Sequence, residues 1–156
     1  MGSRFDIYLP AVEGPARADS EPAEDPAPPR GSETILIVED EDLVCKIAKR
    51  SLAQAGYEVL TASGGEQALE LAQSHAGPID LLLTDVVLPH TNGRELAERL
   101  GELRPEMKII YMSGYADGAI ARHGVLEEGI NFLPKPFTPR SLNRMVGNVL
   151  AAEAET

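Results

Sequence analysis

From Thr34 onward, short apolar runs alternate with amphipathic stretches. The runs are TILIV (34 to 38), EVLTA (58 to 62), IDLLLT (79 to 84), KIIYM (108 to 112) and INFLP (130 to 134). Several are continuously apolar, as strands covered on both faces are. Between them Val44, Ile47, Ala48, Leu52 and Ala55 recur at helical spacing, and so do Leu96, Leu100 and Leu103. The clearest stripe is the last, with Leu142, Met145, Val146, Val149 and Leu150 on one side of a helix. This alternation predicts five βα units. Right-handed crossovers then place helices on both faces of a five-stranded parallel sheet, a doubly wound α/β fold. Ligands in such folds bind beyond the carboxyl ends of the strands.

Residues 1 to 33 have a different texture. They hold six of the twelve prolines, and three Arg face seven Asp and Glu. Within them, 13 to 33 reads as an acidic, proline-rich linker, extended or disordered because it has too few bulky apolar residues to build a core. The folded unit is therefore expected over 34 to 152, with 153 to 156 a tail. At 156 residues the chain has room for one domain of ordinary size.

Charge and composition narrow the chemistry. A net charge of -11 argues against nucleic acid as a partner, since phosphate contacts need clustered Lys and Arg. No run approaches the ~20 apolar residues of a membrane span, and the start lacks the pattern of a signal peptide, so the expected location is the cytoplasm without membrane contact. The single Cys45 cannot close an internal disulfide. His75, His90 and His123 lie singly in different segments, which disfavours a metal site or catalytic triad built on them.

The strand ends gather the remaining chemistry. Glu39 and Asp40 follow the first run, Asp85 the third, Ser113 the fourth and Lys135 the fifth. Parallel strands bring all five to one sheet edge. Three crowded carboxylates raise one another's pKa unless a cation neutralises them, and Mg²⁺, a hard ion that prefers oxygen ligands, suits the place. Asp85 can then act as a nucleophile toward a phosphoryl group, with the metal and Lys135 holding its oxygens and Ser113 donating a hydroxyl. Each residue alone has a plainer reading as turn chemistry or a solvated charge. Together, at four strand ends, they favour the functional one.

The segments ILIVEDED, LLLTDVVLPHTNG, YMSGYAD and FLPKPF, in this order and spacing, resemble the signature of the response-regulator receiver domain of two-component signalling. The resemblance covers about residues 34 to 152. It implies the flavodoxin-like strand order 2-1-3-4-5, with Asp85 as phosphoacceptor and Glu39, Asp40, Asp85 and the backbone carbonyl of Val87 as Mg²⁺ ligands. Ser113 matches the switch hydroxyl, Phe132 the switch aromatic and Lys135 the invariant lysine. Pro136 is expected to follow a cis peptide. Phosphorylation is expected to switch the surface near the fourth helix and fifth strand, and the glycines of 116 to 129 suggest that this helix is short or mobile. Glu39 stands where many members have Asp, and Ser113 where Thr is common; neither change removes a needed group. Val87, with no polar group to orient a water, is expected to leave the acyl phosphate long-lived.

The opening GSRFDIYLPAVEGP resembles the last strand of a histidine-kinase ATP-binding domain over 1 to 12. On that likeness the chain is a hybrid sensor kinase's carboxyl-terminal piece. The kinase domain is then the phosphodonor and a histidine phosphotransfer protein the acceptor. A leader or an added edge strand is the plainer reading of this opening. Two rival functions were weighed: a haloacid-dehalogenase-like phosphatase, which wants an Asp where Val87 stands, and an interaction module independent of phosphorylation. Whether copies pair into a homodimer is left open by the sequence.

Overall fold

A computed structural model describes residues 31–114 and 130–152. The expectations for the opening strand, most of the linker, the 116 to 129 helix and the tail lie outside the described residues. Strands β1 (Thr34–Val38), β2 (Glu58–Ala62), β3 (Leu81–Asp85), β6 (Lys108–Ser113) and β7 (Asn131–Pro134) form one parallel sheet in the order β2-β1-β3-β6-β7. That is the expected 2-1-3-4-5 once a small hairpin, β4 (Val87–Leu88) with β5 (Thr91–Asn92), is set aside. The hairpin escaped the sequence reading because two-residue strands leave no periodic signal. Its two-residue turn is Pro89–His90, with His90 at φ 65°.

The described helices are α1 (Asp42–Gln54), α2 (Gly65–Ser74), α3 (Gly93–Leu103) and α4 (Pro139–Ala151). Strand alternation explains the continuous apolar runs. Ile35, Ile37, Leu81, Leu83, Ile110 and Met112 face α1 and α4, packing on Ala48, Leu52, Leu142, Val146 and Val149. Leu36, Val38, Leu82 and Tyr111 face the other way, onto Ala68 and Ala72 of α2 and Leu96, Ala97 and Leu100 of α3. Each fully buried aliphatic side chain contributes about 1.5–3 kcal/mol. Ile47, read from its spacing as part of the α1 stripe, is instead 43% exposed. The α1 surface that meets the sheet is narrower than its apolar pattern.

Local signals set the helix starts. The Asn92 side chain accepts from the Glu95 N–H at 2.8 Å, and Thr138 and Ser141 form a reciprocal capping box with Pro139 just inside α4. The far end of the sheet is clipped by polar contacts. Arg104 donates to the carbonyls of Ala72, His75 and Gly77 that follow or close α2. Asp80 Oδ2 accepts from the Thr34 N–H at 2.7 Å, so β3 begins two residues later than its apolar run.

Candidate functional site

All the predicted strand-end residues reach the same edge. Register makes this inevitable: Val38 pairs with Thr84, Asp85 with Met112 and Ser113 with Pro134, so the next residues of β1, β3, β6 and β7 emerge side by side. Asp85 is the last residue of β3 rather than the first beyond it. Glu39 is anchored by its own N–H, which donates to the Ala62 carbonyl at 3.1 Å.

The centre of the site is an ion-paired trio. Lys135 Nζ donates to Glu39 Oε2 at 2.5 Å and to Asp85 Oδ2 at 2.7 Å, with Glu39 buried and the other two side chains mostly so. The second oxygen of each acid is held too. Asp85 Oδ1 accepts from the Val87 N–H at 3.1 Å, and Glu39 Oε1 from the Glu41 N–H at 3.1 Å. Burial pushes the Glu39 carboxyl above its ordinary value, against the Lys135 hydrogen bond. Burial works to lower the Lys135 pKa, but the hydrogen bonds and charges of Asp85 and Glu39 outweigh it and the pKa is raised. The pairing of Lys135 with Glu39 was not anticipated, because the sequence reading gave this lysine only to a phosphoryl group.

Asp40 is exposed at the rim. Its carboxylate and those of Glu39 and Asp85 each offer an oxygen, and the three atoms lie within 4.8 Å of one another. That donor set, all hard oxygen, suits Mg²⁺. Val87 is 52% exposed beside it. Ser113 is buried at the end of β6, and its carbonyl accepts from the Lys135 N–H at 2.8 Å. Phe132 pairs with Tyr111 across β6 and β7 and is half-buried against the α2–α3 side of the core. The Lys135–Pro136 peptide is cis, as expected.

One contributor was missed. Gly93 opens α3 with its N–H donating to the Val86 carbonyl at 2.9 Å, and a β-carbon there would collide with the Asp85 carbonyl oxygen. Only glycine lets α3 come this close to the β3 end. The Asn92–Gly93 pair before an amphipathic stretch was the available signal.

Comparison with known proteins agrees with this geometry. The family model for the response regulator receiver domain matches residues 35–147. The sensor kinase CckA of Brucella abortus (strain 2308) is 37% identical over 96% of this chain, which spans 16% of that kinase's length. The response regulator receiver protein CpdR of the same organism is 35% identical over 76% of this chain and 97% of its own. Among solved structures, the receiver domain from the hybrid histidine kinase CckA superposes with a TM-score of 0.64 at 39% identity, covering 75% of this chain and 98% of that one. The chemotaxis response regulator CheY4 of Vibrio cholerae gives 0.66 at 26% identity, over 76% of this chain and 99% of its own. With its sheet order, its strand-end acids and its lysine in register with theirs, the chain belongs to the response-regulator receiver domain family of two-component signalling.

Proposed function

We propose that the domain accepts a phosphoryl group on Asp85. The observation that carries this reading is the trio of Asp85, Glu39 and Lys135 at the mouth of the sheet, with Asp40 within reach. The Val87 N–H and Lys135 orient the Asp85 carboxylate. One of its oxygens attacks phosphorus of a phosphohistidine; the new O–P bond forms as the N–P bond breaks, and the imidazole leaves with the electron pair and takes up a proton. Phosphoryl transfer is catalysed mainly by positioning and charge stabilisation, and this site is built for both. Lys135 serves a second use here, since its ammonium can follow the charge from carboxylate to phosphoryl oxygen.

Glu39, Asp40, Asp85 and the Val87 carbonyl would hold Mg²⁺, which when bound neutralises charge on the phosphoryl oxygens. Ser113 would turn its hydroxyl toward the phosphoryl group, and Phe132 would report the change to the surface beside β7. We assign the donor role to a histidine kinase domain and the acceptor role to a histidine phosphotransfer protein. The alignment with a sensor kinase over 96% of the chain supports an origin in a hybrid kinase, with residues 1–12 closing its ATP-binding domain, 13–33 a linker and 34–152 the receiver. As a receiver fed by an ATP-using kinase, it would work in the cytoplasm.

The test is the intact mass of the chain after incubation with acetyl phosphate, with and without Mg²⁺, for wild type and Asp85→Asn. One added phosphoryl group that needs both the metal and Asp85 is the expected result. No adduct on folded wild type overturns the reading in favour of an interaction module.

A further inference from the structure

The two faces of the sheet carry opposite charge. Helices α1 and α4 hold five cations, Lys46, Lys49, Arg50, Arg140 and Arg144, against one anion, Asp42. Helices α2 and α3 hold five anions, Glu66, Glu70, Glu95, Glu98 and Glu102, against two cations. In a chain of net charge -11 a basic face does not arise from a shortage of acids. Lys46 is taken by Asp42 at 3.6 Å, whereas α4 contains no acidic residue at all. Arg140 and Arg144, both exposed, stand one turn apart, and Arg140 lies at the positive end of its helix. Like charges so placed disfavour the helix, so the fold itself gives no reason for them.

The same face is shaped to receive something. Ser51 Oγ of α1 donates to Asn143 Oδ1 of α4 at 3.1 Å, marking the seam between the helices. One turn before Ser51, Ile47 is 43% exposed; one turn after Asn143, Gly147 has open space where a β-carbon would stand. The seam therefore has an apolar and open floor between cationic sides.

The chain itself arrives at this face. Gly31 lies against the ring of Tyr57, and Tyr57 belongs to the core under α1 and α4. The Glu58 N–H donates to the Glu33 carbonyl at 3.0 Å, fixing that approach. Just upstream, DSEPAED (19 to 25) carries Asp19, Glu21, Glu24 and Asp25 with no cation among them. The twelve steps from Gly31 to Asp19 reach about 37 Å if extended, against about 20 Å for the length of α1.

We propose that residues 19–25 of this chain dock along the α1–α4 seam, their carboxylates against Lys49, Arg50, Arg140 and Arg144. The tether supplies a high local concentration, so weak ionic contacts suffice. A bound linker makes that face of the receiver conditionally available to other proteins. The inference is independent of whether Asp85 accepts a phosphoryl group.

The experiment uses the full isotope-labelled chain with a nitroxide at Ala23→Cys in a Cys45→Ser background. Amides of Lys49, Arg50, Arg144 and Gly147 should broaden several-fold more than those of α2 and α3. The difference should vanish in about 1 M salt, where the Debye length is about 3 Å. It should also vanish when Asp19, Glu21, Glu24 and Asp25 are neutralised together to Asn and Gln, or when Arg140 and Arg144 become Ala, with the rest of the amide spectrum unchanged. Equal broadening of both helix faces, or broadening that survives salt, overturns the proposal. So does equal broadening when the nitroxide sits only on unlabelled copies mixed with labelled, label-free ones, since the occupant is then a second copy.

Discussion

Gly93 and Asp85 meet backbone to backbone: a β-carbon on Gly93 would overlap the Asp85 carbonyl oxygen and lie 3.1 Å from its carbonyl carbon. We expect Gly93→Ala to cost about 1–3 kcal/mol of stability, because the crowding falls on main chain that cannot rotate away. If the strand end moves rather than the helix, Asp85 moves with it, and phosphorylation by acetyl phosphate should slow by more than the loss of folded protein explains. Urea unfolding and the rate of mass gain, measured on the same variant, separate the two effects. An Ala variant with wild-type stability and rate would show that α3 can shift freely.

The lysine that unites the site should be needed for folding as well. Lys135→Met leaves the buried Glu39 and Asp85 as neighbouring carboxylates without a counter-ion, which should cost about 3 kcal/mol near neutral pH. Glu39 already has a raised folded pKa, and losing Lys135 raises it further. A group that binds protons more tightly when folded gains stability as pH falls, so the deficit should shrink on acidification. Denaturant midpoints of variant and wild type at neutral pH and near pH 4.5, the ordinary Glu value, should therefore converge. A gap that stays constant or widens would contradict this account of the trio.

Val87 offers a hydrogen bond through its backbone and nothing through its side chain. Because it is half exposed beside Asp85, an Asn there has room to orient a water toward an acyl phosphate. Val87→Asn should shorten the lifetime of phosphorylated protein about tenfold, ~1.4 kcal/mol off the barrier. Decay of the phosphorylated mass after removal of acetyl phosphate gives this directly, and an unchanged lifetime would remove Val87 from the control of hydrolysis.

Two tyrosines set the alkaline limit. Burial raises the phenol pKa of both Tyr57 and Tyr111 above the ordinary 10.0, with the Glu33 charge adding to the effect at Tyr57. Their contribution is fully present below the unfolded value and is lost as pH climbs through the folded one, so stability should hold to about pH 10 and fall beyond it. Tyrosinate absorbance should show Tyr57 and Tyr111 ionising late, and Tyr57→Phe should remove one late titration. Early ionisation of both in folded protein would mean that the phenols reach water.

How much of this was legible beforehand differs by element. The apolar runs over 34–38, 58–62 and 108–112 located their strands closely, since a strand buried on both faces must be apolar throughout. The run at 79–84 misplaced the start of β3 because Asp80 spends its side chain on the Thr34 N–H, a contact between residues far apart in sequence. Ile47 misled because helical spacing marks a stripe but not how much of it a neighbour covers. Strand order came from resemblance rather than from periodicity.

By itself the sequence determined the strands, the amphipathic helices and, once the strands are parallel, which carboxylates, hydroxyl and lysine share an edge. Only the tertiary structure decided that Lys135 spans Glu39 and Asp85, that Gly93 must be bare to let α3 reach the strand end, and that the cations of α1 and α4 line one seam. The reason is physical. Periodicity is set by neighbours along the chain, whereas an ion pair, a backbone contact or a charged face depends on distances between segments that only packing fixes.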